Sequence, residues 1–422
     1  MVNSVNIERL LVFCFLFVFA VIPISFLYLA PLLATLGLAS LLYAFVALLN
    51  GVPRSAFYTK EVALSFIACG LVFIVYSIAV TTNDSSLIYK DSVGFVFYPF
   101  YFTLAALAAK GEIDGNLYKN FVVVMGVFVV LLHIVGFFAF YIFLGEVSFE
   151  TIETTNALLS GWGSAAKFGG AHWLVRVDFG MSALLIMPTL MCFDNLVKGR
   201  YDSWNWILLA VFGFSIFLEG HRALAIAVFI GCMLLMLRFR GVRRVNVFLL
   251  ICVLVSGPLA LFLTNSDDGS EGLFSRFSEL VTTMGLDDYR KEQFPSLLAK
   301  IELHPTLGSG FGSHADVIRN EERPYMYELD YLAVVMKLGL LGSIWYFSTF
   351  LYLLYLCLKS SRWGGGGYIY FYSGVSFFLY SGTNGGFAMS IVSSLMHLLL
   401  MLGVTVEYNS RVVLRYPSLR RS

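Results

Sequence analysis

The chain has 422 residues, of which 59% are hydrophobic, 16% aromatic and only 13% charged. Those fractions exclude an ordinary soluble domain and define a polytopic membrane protein. A formal net charge of +1 excludes a partner selected by bulk electrostatics, nucleic acid included, so the placement of the charges carries the information. The six cysteines (Cys14, Cys69, Cys192, Cys232, Cys252 and Cys357) all stand in apolar runs without a CxxC spacing. They read as packing residues, with neither a disulfide framework nor a metal site.

A helix needs roughly 20 apolar residues to cross the hydrocarbon core, and on that measure the sequence predicts about twelve spans in an all-α fold. They lie near residues 10–30, 32–49, 62–81, 93–109, 120–144, 177–193, 204–218, 221–237, 246–263, 329–358, 366–381 and 387–404. The first, after Arg9, reads as a retained helix: it is long, lacks a small-residue cleavage pattern and is followed by another span. The whole of 1–422 then forms a single integral membrane domain, and no internal repeat is visible.

Lysine and arginine orient the spans. With the amino terminus in the cytoplasm, alternate loops hold Arg54 and Lys60, Lys110 and Lys119, Lys198 and Arg200, Arg238 to Arg244, and Lys359 and Arg362. An even number of spans puts both termini in the cytoplasm. The remaining cations fall on the outer side. Lys167 and Arg176 lie in a loop over 145–177, Arg222 opens a helix, and Arg276, Arg290, Lys291, Lys300, Arg319 and Arg323 lie in a large loop over 264–328. Loops of that length are functional or disordered. This one carries a helix start at Asp287 and Asp288 and apolar residues Phe294, Leu297, Leu298 and Ile301 at helical spacing, which predicts a short amphipathic helix on the protein or membrane surface.

Several residues on that side are candidates for chemistry. Arg222, in LEGHRALAIAVF, is either paired with Glu219 across a tight turn or part of an anion site with His221 beside it. Arg176, in HWLVRVDFG, is either a snorkelling interface residue or a second anion ligand. Arg290 shares a helical face with Phe294 and has Asp287 as the obvious salt-bridge partner. The turn LGSGFGSH brings Gly308, Gly310 and Gly312 close together, a spacing that admits close backbone approach and an anion nest, and equally a plain turn. Glu328 and Asp330 stand where the loop becomes helix, suited to the helix dipole and to service as a general base. Lys337, seven residues after Asp330 and roughly 10 Å deeper, must face the bundle and needs a partner. His133 and His397 read as buried hydrogen-bonding residues.

The stretch HPTLGSGFGS, followed after a charged segment by YELDYLAVVMKLGLLG, resembles the bacterial O-antigen polymerase and ligase superfamily, the Wzy-type polytopic glycosyltransferases. Pro305, Gly308, Gly310, Gly339 and Gly342 match its Pro-x-x-Gly-x-Gly turn and Gly-x-x-Gly, and Arg290 and Arg222 match its arginines. The resemblance implies a GT-C-like membrane architecture in the bacterial inner membrane, with an active site facing the periplasm. It further implies polymerisation of undecaprenyl-pyrophosphate-linked oligosaccharides without a metal or other cofactor, alongside a chain-length regulator and a flippase. On this footing Glu328, Asp330 and Arg290 are the catalytic candidates. Arg222, Arg176, His221, Gly308, Gly310, Arg319, Arg323 and Tyr331 are the candidates for binding substrate or pyrophosphate. O-antigen ligases carry a histidine where this chain has Glu328, which favours the polymerase over the ligase that caps lipid A core; a lipid-linked oligosaccharide flippase or other transporter is the non-enzymatic alternative.

Overall fold

A computed structural model describes residues 30–50, 52, 54–143, 164–168, 175–179, 181–199, 203–219, 222–238, 288–318, 324–362, 366–382 and 390–415. The spans expected near 10–30 and 246–263 lie outside these residues. The described chain is predominantly helical. It runs α1 (Ala30–Leu49), α2 (Lys60–Val80) and α3 (Ser85–Ser92), which continues through a 3-10 turn into α4 (Phe100–Ala109), then α5 (Gly115–Phe143). After a two-stranded ribbon come α6 (Ile186–Val197), α7 (Ser203–Glu219), α8 (Arg222–Arg238), α9 (Asp288–Leu303), α10 (Asp330–Ser361), α11 (Gly367–Ser381) and α12 (Ile391–Arg415).

Four stretches, Lys60–Val80, Ser85–Ala109, Gly115–Ile134 and Asp330–Ser361, are long and apolar enough to cross a bilayer. Their packing is that of a protein in lipid. On α2 the residues Val62, Phe66, Cys69 and Phe73 are buried, while Leu64, Leu71, Val75 and Ile78 on the opposite side are each more than half exposed. Such a stripe would be an aggregation surface in water. The core between α2, α4, α10 and α12 is aromatic with polar links: Phe66 stacks on Tyr98 at 4.6 Å and on His397 at 5.0 Å, and Tyr98 Oη lies 2.8 Å from His397 Nδ1. His133 is likewise buried, between the hydroxyls of Ser215 and Ser182. Both histidines are thus hydrogen-bonded inside the bundle, and Cys69, Cys192, Cys232 and Cys357 are buried free thiols.

Two boundaries depart from expectation. Residues 177–179, assigned above to a span, belong to strand β2 (Val175–Phe179), which pairs antiparallel with β1 (Ser164–Phe168). The alternation VRVDF, with two β-branched valines, suits a ribbon better than a helix. The helix expected at 93 begins at Ser85, capped by Asp84, whose carboxylate accepts from the Ser86 N–H at 2.7 Å. That start carries Asp91 into the bundle.

Candidate functional site

The glycine turn and α10 form one backbone unit. Helix α10 is interrupted at Gly339, which has φ 62° and ψ −174°. In an unbroken helix the N–H groups of Leu340 and Leu341 would bond the carbonyls of Met336 and Lys337. Here each of those two rungs is exchanged for a pair of bonds to the turn. Leu340 and Leu341 donate to the carbonyls of Pro305 and Thr306 at 2.8 and 3.2 Å, while the carbonyls of Met336 and Lys337 accept from Ser309 and Gly310 at 2.8 and 2.9 Å. Unsatisfied backbone groups at a bilayer edge are expensive, so the inserted turn is what makes the break tolerable.

Glycine is obligatory on both sides of this contact. A Cβ on Gly308 (φ 74°) would stand 2.3 Å from the Lys337 carbonyl oxygen, and one on Gly339 would stand 2.4 Å from the Gly308 nitrogen. The neighbouring amides are engaged as well: Phe311 donates to Ser77 Oγ at 2.7 Å and Gly312 to Asp91 Oδ2 at 2.9 Å. The anion nest suggested by the spacing of Gly308 and Gly310 therefore finds its donors already used by protein acceptors. Asn83 completes the attachment by donating to the carbonyls of Ser309 and Phe311 at 2.8 and 2.9 Å, and Tyr76 donates to that of Gly308 at 3.1 Å.

Lys337 has the partner its position demands. Its ammonium, on a side chain 5% exposed, donates to Asp91 Oδ1 at 2.6 Å and to the Tyr325 carbonyl at 2.9 Å. Asp91 thus joins α3, the glycine turn and α10 through one carboxylate.

Helix α9 runs alongside the start of α10. Leu297 and Ile301 pack with Ala315, Tyr327, Ala333 and Met336. The contacting face is Arg290, Gln293, Leu297 and Ile301; Phe294, expected to share it, is 47% exposed. Arg290 Nε donates to Glu328 Oε2 at 2.5 Å; the Asp287 partner expected from the sequence lies outside the described residues. Gln293 is fully buried: its Oε1 accepts from the Glu328 N–H at 3.3 Å, and its Nε2 has no hydrogen-bond partner among the described residues. Asp330 is buried at the first position of α10.

Of the expected site residues, the fold brings together Arg290, Glu328 and Asp330, with Gly308 and Gly310 in the turn below them. Tyr331 follows directly, but its hydroxyl donates to the Phe378 carbonyl and its ring stacks on Phe378 at 4.8 Å, so it faces the bundle. Arg176 stands on β2 opposite Lys167, against α5 and α7, and Arg222 is the first residue of α8; their side chains lie outside what is described, as do His221, Arg319 and Arg323 altogether. Asp91, Asn83 and Gln293 were not singled out by the sequence. Asp91 alone carried a signal, a carboxylate two residues before an apolar run that continues as helix.

Helix lengths set the depth. From Lys359 to Gly339 is roughly 30 Å along α10, the thickness of the hydrocarbon core. The 21 residues of α2 measure about 31 Å and end at Val80, beside the turn that Ser77 and Asn83 hold. Both lengths match the thickness of a hydrocarbon core whose edge is at the glycine turn. Along α10 the Asp91–Lys337 pair lies two residues before Gly339, and Glu328 with Arg290 lies beyond it at the start of the helix. Four helices long and apolar enough to cross a bilayer suggest a multi-pass membrane protein, and its polar cluster gathers at the start of α10. No protein-family model and no curated protein matches the chain.

Proposed function

We propose that the chain is a polysaccharide polymerase of the O-antigen type: a multi-pass inner-membrane glycosyltransferase of about twelve spans, with its site on the periplasmic face. The single observation that carries this reading is the Arg290–Glu328 pair, which joins α9 to the start of α10. The donor is a sugar linked to a membrane-anchored pyrophosphate. The acceptor hydroxyl of one lipid-linked unit attacks the anomeric carbon of another. The bond from that carbon to the pyrophosphate oxygen breaks, the hydroxyl proton passes to a carboxylate, and undecaprenyl pyrophosphate leaves with the electron pair.

Arg290, with Arg222 and Arg176 as further cations from the same face, stabilises the charge that grows on the leaving group. Glu328 or Asp330 accepts the proton. Removing one such charge stabiliser costs on the order of 10²–10³ in turnover. The test is gel analysis of lipopolysaccharide from a deletion strain complemented with wild type, Arg290→Ala, Arg290→Lys, Arg222→Ala and Arg222→Lys. Single-repeat caps in the deletion strain, restored to a ladder by wild type but not by the alanine variants, support the polymerase. A normal ladder without the gene refutes it; loss of all capping assigns the ligase reaction instead.

A further inference from the structure

We propose that the carboxyl-terminal end of α9 and the turn after it are inserted at the acyl-chain edge of the bilayer, with the side chains of Leu303 and Leu307 in contact with lipid. The inference stands on the fold alone and holds whatever reaction the chain catalyses. It begins from three apolar side chains on a segment otherwise rich in charge: Leu303 is 69% exposed, Leu307 45% and Phe294 47%. Helix α9 is packed on α10 by its other face, so Phe294 and Leu303 have no place in the core, and Leu307 follows in the turn.

What covers them follows from the backbone. Pro305 and Thr306, between the two leucines, are bonded directly to Leu340 and Leu341. Those residues are 58% and 56% exposed, and Ile344, one turn below, is 54% exposed, all on a helix long and apolar enough to cross a bilayer. The apolar surface of the turn is therefore continuous with a lipid-facing surface. Its depth agrees, because Gly339 stands roughly 30 Å from Lys359, at the hydrocarbon boundary. The flanking residues fit an interface: Lys300 and Glu302 precede Leu303 and His304 follows it, polar groups able to reach the head groups while the leucines lie below.

Helix α9 accordingly descends along α10, from Arg290 at the Glu328 level to Leu303 at the Gly339 level, and ends in lipid. Its anchor fixes the height of Arg290 above the bilayer.

Spin labels at Leu303→Cys and Leu307→Cys, in full-length protein with the native cysteines replaced by alanine and reconstituted in phosphatidylcholine vesicles, test this by power saturation. Both sites are expected to collide with oxygen and to be shielded from an aqueous nickel chelate, with the reverse order at Glu292→Cys and Glu302→Cys. Water accessibility at 303 and 307 equal to that at 292 overturns the proposal. So does shielding from both reagents, which would mean that protein covers them. Where the cysteine-free chain does not fold, Leu307→Trp in the natural background decides: brominated lipid must quench its fluorescence beyond the loss seen in wild type, and equal quenching refutes insertion.

Discussion

Replacing Lys337 by methionine removes the ammonium and keeps most of the side-chain volume. Asp91 is then left with only the Gly312 N–H, in a site where its side chain is 3% exposed. At 2.6 Å and an effective dielectric constant of about 20, the gross attraction of the pair is about 6 kcal/mol. Most of that is offset by the desolvation of both charges in the native protein, but a single substitution leaves the second charge buried and unpaired, which costs about 3–5 kcal/mol. The Tyr325 carbonyl loses a donor as well. Asp91→Asn should cost a similar amount, and the double variant Asp91→Asn/Lys337→Met much less than the sum, because no uncompensated charge remains. Thermal unfolding of the detergent-solubilised protein measures all three. Single variants within about 1 kcal/mol of wild type, or strict additivity, would refute the assignment of this pair as the fastening between α3, the glycine turn and α10.

The helix break gives a graded test of glycine. Gly308→Ala and Gly339→Ala combine a left-handed backbone with a collision, for a cost of roughly 2–6 kcal/mol, whereas Gly111→Ala, at φ 79° with nothing within 4 Å, should cost only about 1–2 kcal/mol in the same melting assay. Arg290→Ala separates stability from activity: its pair with Glu328 is mostly buried, so melting should fall by about 1.5–3 kcal/mol, with the folded protein retained while the polymer ladder is lost, and Arg290→Lys should restore the ladder only partly. Tyr331→Phe removes the bond to the Phe378 carbonyl and should cost about 1 kcal/mol without changing polymer length; a shortened ladder at normal stability would show that the hydroxyl reaches substrate.

Local pattern revealed much of this in advance. The helices that frame the site could be read from apolar runs, and Lys337 could be seen to require a partner because a cation in an apolar helix has no other resolution. The identity of that partner could not be read. Asp91 lies 246 residues earlier in the chain, and the polar stretch TTNDSSLIYKDS hides the start of its helix. The glycine spacing was visible, but its purpose depended on the break at Gly339, and a glycine in an apolar helix looks the same whether the helix continues through it or not. The face of α9 was misjudged for a related reason. Phe294 is the larger apolar residue, and only the contact with α10 shows that Gln293 points inward and Phe294 outward. The contact of Arg290 with Glu328, 38 residues further along the chain, is again long-range, where local spacing pointed only to Asp287.

Under the proposed function, this polar cluster carries transfer between lipid-linked oligosaccharides. The most direct measurement is made on purified protein in proteoliposomes supplied with undecaprenyl-pyrophosphate-linked repeat units, following glycan length and released undecaprenyl pyrophosphate together. One lipid pyrophosphate is expected to be released for each unit added, with both lost in Arg290→Ala. Intact lipid-linked units after prolonged incubation, or equal turnover in wild type and Arg290→Ala, would contradict it.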